Sequence, residues 1–447
     1  MEFQKASRTA PDTGREMVRR LESAGFVPVE ELEKEISAGA SSEELAGRKV
    51  YVASEDYRDV AGIVIGSKDL SEGVNMLFAH LDTPELHVKR AAEGVFDSGD
   101  GVFIDAQYYG GIKKHQWFAR PLELRGEIAK DGKTYQVQLD LATVPEKLPH
   151  LDKQADQKVG DAFPGEKLDV FTGYFTKDDF YAALSESAGT EISEKDLLNA
   201  SLTIVPRAEP YRVGETLVGQ HDDTICSYAA TKAITGIGTP GRTAIAFAFD
   251  KEEIGSNGKT GAQGAFFDYV IDKVAGAVAG ATAREAIDEK GYAAARQEVP
   301  YIQDPDAFKR EVVMASAGIS ADVKAAYNPI FPENYDKANG AHAGKGVTIA
   351  PYTGRGGKYG ASESPIELSE RLQDMNEREG IAYQPTLYAQ VDGGGGGTIA
   401  KFIAQKGASV IDSGPAIWSM HSAEAEVVHA DDLYATVREY TAFLEAF

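Results

Sequence analysis

The segment AIAFAFDKEEIGS sets two adjacent carboxylates, Glu252 and Glu253, just past an apolar run that reads as a buried strand. Two acids at such a strand end can divide the labour, one holding a metal ion and the other moving protons. Charged pairs are commonly surface features, but this one lies between a continuous apolar run and a flexible Gly-Ser. Four other segments bring polar residues directly after apolar ones, where ligands bind in an open α/β sheet.

NMLFAHLDT carries His80 and Asp82 two apart, so a continuing strand would point both the same way. A ligand histidine needs a partner to fix its orientation, and Asp82 could give that support or ligate directly; a solvated strand end is the plainer alternative. GQHDDTICSYAA puts Asp222 and Asp223 at the start of a predicted helix, where capping alone would account for one of them, with His221 before them. EVVMASAGISADVKAAYNP runs from a strand-like stretch into Asp322, a position that a simple turn would also explain. GPAIWSMHSAEAEVV presents His421 with Ser422, Glu424 and Glu426 nearby, and a lone histidine there is commonly structural. Each segment alone is weak. Together they offer two histidines and several carboxylates, enough for two divalent cations with a glutamate left over as a base, and the N/O set suits zinc, manganese or cobalt.

Competing chemistries fail on inspection. There is no HExxH helix, GSNGKT lacks the first glycine of a phosphate-binding loop, and no GxSxG elbow occurs. The single cysteine, Cys226, falls in a predicted helix with no evident histidine partner, which removes both a disulfide framework and a thiolate-rich zinc site.

Elements that could position these residues recur along the chain. PDTGREMVRRLESAG reads as an amphipathic helix, followed by strand-like RKVYVAS, AGIVIGS and VNMLFAH. From about Thr83 to Leu217 short alternating strands take over, as in TYQVQLDL, where Tyr135, Val137, Leu139 and Leu141 would share a face behind an Asp131-Gly132 hairpin turn. Strand and helix then alternate again: DTICSYAATKAITGI as helix, TAIAFAF as strand, TGAQGAFFDYVIDKVAGAV as helix. ADDLYATVREYTAFLEAF closes the chain as a packing helix with Leu433, Val437, Tyr440 and Leu444 on one face. Gly393 to Gly397 reads as a tight or mobile backbone passage. The expected fold is a three-layer α/β/α domain with a mixed central sheet, formed by residues 1–84 and 218–447 and interrupted by a β-rich insertion at 85–217.

At 447 residues, 43% hydrophobic and with a formal net charge of −24, the chain is long enough for two packed domains and too acidic for nucleic acid or an anionic membrane surface. No signal-type apolar core opens it and no stretch is long and apolar enough to span a bilayer, so a cytoplasmic protein is expected.

In this order, AHLDTPELHVKR, HDDTICSYAATKAI, FDKEEIGS, SADVKAAYNPIFPENY and SMHSAEAE resemble the aspartyl aminopeptidase family of dinuclear metallo-exopeptidases, over nearly the whole chain. The resemblance implies that His80 and Asp322 complete one metal site, that Glu253 and His421 complete the other, and that Asp222 bridges them. It implies Glu252 as general base for removing the N-terminal residue of peptides, Asp82 as the supporting acid, and two zinc ions, with manganese or cobalt as alternatives. LPHLD is similar to the segment that sends a histidine into a neighbouring subunit's site, here His150, and the insertion would serve oligomerisation in a homo-oligomer, a tetrahedral dodecamer. Three departures stand out: Asp223 where the family usually has Asn, His221 where it usually has Leu or a similar residue, and Ala119 where it often has Asp. YTGRGGKYGAS resembles a segment near the substrate pocket, where Lys358 could meet an acidic side chain or be a solvated loop lysine. A related dinuclear carboxypeptidase or deacylase, and a non-catalytic self-assembling binding protein, are the alternative readings.

Overall fold

Two apolar runs show how this chain builds its largest layer. Along Ala244–Phe249 the small residues Ala244, Ala246 and Ala248 point into one core, while Ile245, Phe247 and Phe249 point into another. Along Asn75–His80, Leu77 and Ala79 join the first core, and Met76 and Phe78 the second. A strand with apolar side chains on both faces must be covered on both, and helices do this here. Helices Ala10–Ser23, Thr224–Gly236 and Ala430–Ala446 line the first core; Val29–Ser37, Phe266–Lys290 and Pro305–Met314 line the second. The result is the expected three-layer α/β/α arrangement. In this computed structural model the described residues are 1–447 except 92, 153–156, 355, 388–389 and 394. Arg355 of YTGRGGKYGAS and Gly394 of the glycine tract therefore lie outside the described residues.

Among the described residues the central sheet has nine strands and is mixed. At its middle Ala244–Phe249, Asn75–His80, Ala317–Ala321 and Ser409–Gly414 run parallel, with Phe249 in register with His80. Parallel strands end at the same edge, so the polar residues after Phe249, His80 and Ala321 are delivered to one side of the sheet. Val60–Val64 pairs antiparallel with Ala244–Phe249, Val60 opposite Ala248.

Two compact units divide the chain: Met1–Asp82, Arg212–Met420 and Val427–Phe447 form one, and Thr83–Tyr211 with His421–Glu426 the other. The second unit is rich in strands, with a five-stranded and a three-stranded sheet and its own apolar core around Trp117, Leu124, Phe180 and Ile204. Its hairpin Leu122–Lys130 to Lys133–Leu141 turns on Asp131-Gly132, both at positive φ, as a two-residue hairpin loop requires. Val137 and Leu141 are buried and their alternating neighbours exposed, as the spacing predicts.

Some boundaries differ from the sequence reading. EVVMASAGISAD is not one strand-like stretch: Pro305–Met314 is a helix, and only Ala317–Ala321 is strand. The helix starts upstream of that segment, where the Asp304 carboxylate accepts the N–H groups of Asp306 and Ala307 and Pro305 takes the first helical position. The helix expected to open at TGAQGA begins instead at Phe266 and continues to Lys290. Among the described residues no helix is long and apolar enough to cross a membrane.

Candidate active site

His80 closes its strand with only 1% of its surface exposed, so its ring must find partners inside the protein. Nδ1 lies 3.0 Å from the Asp82 carbonyl and 3.4 Å from the Asp82 carboxylate. A carbonyl can only accept, so Nδ1 carries a proton, and Nε2 faces the other way. There it meets Asp222 Oδ1 at 3.3 Å and Asp322 Oδ1 at 4.0 Å. His80, Asp222, Asp223 and Asp322 each offer a ligand atom, all within 4.8 Å of one another.

Asp222 and Asp223 sit directly before the helix Thr224–Gly236. Asp223 holds the N-cap position, yet its side chain caps nothing. Its Oδ2 instead accepts the His80 backbone N–H at 3.2 Å, while Ser227 Oγ donates to the His80 carbonyl at 2.7 Å. The helix start is thereby tied to the end of the histidine strand on both backbone groups. Asp223 is fully buried. A carboxylate at that depth, clustered with His80, Asp222 and Asp322, belongs to a donor pattern that a divalent cation satisfies. His221 plays a different part. Buried between Gln4 and the Leu217 carbonyl, it is pushed down to about 4 by burial and stays neutral.

Glu252 and Glu253 form the short turn Glu252–Ile254 after the strand Ala244–Phe249. Their backbone N–H groups donate to the two oxygens of Asp82, at 3.1 and 3.2 Å. Asp82 therefore orients the His80 ring and fixes the turn carrying the two glutamates. Crowded acids in a dry site resist ionisation. Burial lifts Glu252 to about 8, with His80 pulling down and Asp322, Asp82 and Asp222 pushing up. Asp322 rises to about 6 by burial, moderated chiefly by Lys324. Burial pushes Asp223 well above the usual carboxylate range. Burial works against a charge on His80, but Asp223, Asp222 and Asp82 outweigh it and raise its pKa. A bound cation would reverse this pattern, favouring ionised carboxylates and neutral imidazole.

His421 and His150 belong to the second unit. His421 has positive φ, directs Nδ1 at the Gly111 carbonyl at 2.7 Å and donates its backbone N–H to Glu426 at 2.6 Å. His150 is exposed in its loop. Lys358 is engaged with Glu363 at 2.7 Å and lies over the Tyr352 ring. Sequence reasoning did not single out Lys324, a buried lysine facing Asp412 at 3.6 Å two residues after Asp322. A lysine between apolar residues carries no sequence signal of burial. Asp223 was visible as a departure, but its bond to the His80 backbone was not.

A family model for aminopeptidase I zinc metalloproteases (M18) matches residues 3–444. A probable M18 family aminopeptidase 1 of Thermotoga maritima is 32% identical, over all of this chain and 94% of that protein. The crystal structure of an M18 aminopeptidase from Thermotoga maritima superimposes with a TM-score of 0.86 at 31% identity, covering 100% of this chain and 95% of that one. Aminopeptidase I of Clostridium acetobutylicum gives a TM-score of 0.77 at 28% identity, covering 93% and 91%. With a His/Asp donor set gathered at the ends of parallel strands, the chain belongs to the M18 family and is a zinc metallo-aminopeptidase.

Proposed function

We propose that the enzyme releases the N-terminal residue of peptides at a site built for two divalent metal ions, with Glu252 as general base. The observation that carries this reading is the convergence of His80 Nε2, Asp222 and Asp322 at one sheet edge, with the Glu252–Glu253 turn tied to the same Asp82 that orients His80. His80 and Asp322 would hold one ion, Glu253 and His421 the other, and Asp222 both; Asp82 would keep His80 in its ligating tautomer. Zinc, when bound there, supplies a Lewis acid that lowers the pKa of water and polarises a carbonyl.

Glu252 has the environment its role needs. It is half-buried, so it can exchange protons with a reacting group, and it ligates nothing in this assignment. It would take the proton of the attacking water and deliver it to the leaving amine, which restores the carboxylate for the next cycle. Replacing Glu252 by Gln keeps shape and removes the base. Turnover should fall by about 10³-fold or more while zinc content stays normal. Retained peptidase activity in that variant would sink the assignment.

Homo-oligomerisation through the second unit, as a tetrahedral dodecamer with His150 reaching a neighbouring subunit's site, and a cytoplasmic location are part of the same proposal. They rest on the sequence resemblance.

A further inference from the structure

The loop from Asp250 to Gly261 carries both glutamates and runs through a series of uncommon backbone conformations. Lys251 and Ser256 have φ of 66° and 58°, and Gly255, Gly258 and Gly261 are also positive. Side-chain-bearing residues rest in the left-handed region only where their surroundings over-determine them. The loop must therefore be held from outside, and most firmly where it leaves and rejoins the fold.

Both feet meet one carboxylate. Asp59, 1% exposed, accepts the N–H of Asp250 at 3.3 Å and of Gly261 at 3.0 Å through the same Oδ1. Strand pairing explains why it stands there: Val60 lies opposite Ala248, so Asp59 reaches the residue that follows Phe249. Asp59 is itself fixed, since its N–H donates to Ser54 Oγ at 3.0 Å and its carbonyl accepts the Ser54 N–H at 2.9 Å. The feet also touch each other, because a Cβ on Gly261 would come within 2.7 Å of the Asp250 carbonyl. Around this joint Asp250 Oδ2 collects Arg58 at 3.2 Å, Lys251 at 3.0 Å and Thr260 at 3.1 Å.

We propose that Asp59 is a positioning residue of the aminopeptidase reaction: it closes the base of the Asp250–Gly261 loop and so sets where Glu252 and Glu253 stand. This inference rests on the reading of Glu252 as base and Glu253 as ligand. Asp82 fixes the turn from the active-site side and Asp59 from the opposite end, so losing either lets the glutamates drift without removing any group that touches substrate.

The test compares Asp59→Leu, which has no acceptor, with Asp59→Asn, which keeps one, in the zinc-loaded enzyme. Asp59→Leu should lower kcat by about 30- to 100-fold with KM within about threefold, the pattern of a misplaced catalytic group. Asp59→Asn should restore kcat to within about threefold of the parent, because one oxygen serves both N–H groups. Amide hydrogen exchange should speed up across residues 250–261 in Asp59→Leu alone, with the sheet strands unchanged. Unchanged kcat in Asp59→Leu, equal losses in both variants, or faster exchange spread through the whole sheet would overturn the proposal. Should Asp59→Leu not fold, Gly261→Ala disturbs the same joint from its other side and must reproduce the kcat loss; parental kcat there overturns it. Glu252→Gln assayed alongside separates the two readings: activity in that variant defeats the base assignment, whereas an inactive Glu252→Gln beside a fully active Asp59→Leu defeats only the positioning role.

Discussion

Asp223 carries the chemistry of this site further than its sequence position suggests. It occupies a helix N-cap without capping, supports the His80 backbone with one oxygen, and clusters with His80, Asp222 and Asp322. A buried carboxylate in such a cluster burdens the metal-free fold and favours the cation-loaded one. Asp223→Asn keeps an acceptor for the His80 N–H and can no longer become a carboxylate. The metal-free variant should be more stable by about 1–3 kcal/mol in thermal or denaturant unfolding. Its zinc affinity, measured against a competing chelator, should fall by about tenfold or more. A metal-free protein that is less stable, or an unchanged affinity, would show that the carboxylate is paired in a way this account does not include. The strand-end residues His80, Asp82, Asp222, Glu252 and Asp322 were legible because acids and histidines directly after apolar runs are unusual. The bonds from Asp82 to the 252–253 turn were not legible, since they join residues about 170 positions apart with no periodicity to betray them.

Elements, not single side chains, hold the strand ends in place, and one buried acid shows how. Glu439, fully buried in the last helix, accepts Asn376 Nδ2 from the helix Ile366–Glu379 at 2.6 Å and the Ser413 hydroxyl from the strand Ser409–Gly414. Burial lifts it from 4.5 to about 7, with Ser413 and Asn376 opposing. Between those values the unfolded chain has released its proton and the native protein keeps it, so this group's contribution is complete below about pH 4.5 and lost as pH rises through about 7. The shift corresponds to about 3 kcal/mol at most. Glu439→Gln should flatten the decline of unfolding free energy across that window; a variant whose decline matches the parent would refute the assignment. The amphipathic pattern of this helix was plain in Leu433, Val437, Tyr440 and Leu444, of which Tyr440 and Leu444 are fully buried. The roles of its polar residues were hidden: Asp432, which reads as a first-turn acid favourable to the helix dipole, in fact accepts the N–H groups of Gly344 and Gly346 at 2.7 Å. The helix Pro305–Met314 was missed for a related reason, because VVM in a short apolar run does not distinguish helix from strand.

For the whole molecule, two apolar cores flank a central sheet that, among the described residues, has nine strands and brings His80, Glu252 and Asp322 to one edge. The second unit holds His421 and the exposed His150. If His150 acts in a neighbouring subunit, His150→Ala should lower kcat by about 10²-fold with zinc content unchanged. Sedimentation should meanwhile report a closed homo-oligomer, a dodecamer in the proposed form. Full activity in that variant, or a catalytically competent monomer, would contradict the shared-site proposal. The net charge of −24 makes the chain strongly acidic, which resists non-specific association.

The most direct measurement is activity against zinc equivalents. Metal-stripped enzyme is reloaded stepwise and assayed on paired aminoacyl substrates, one with a free N-terminal amine and one acetylated. Release is expected from the free-amine substrate alone, rising to full activity only as the second zinc per subunit binds. Full activity at one zinc, or equal hydrolysis of the acetylated substrate, would contradict the two-metal aminopeptidase mechanism.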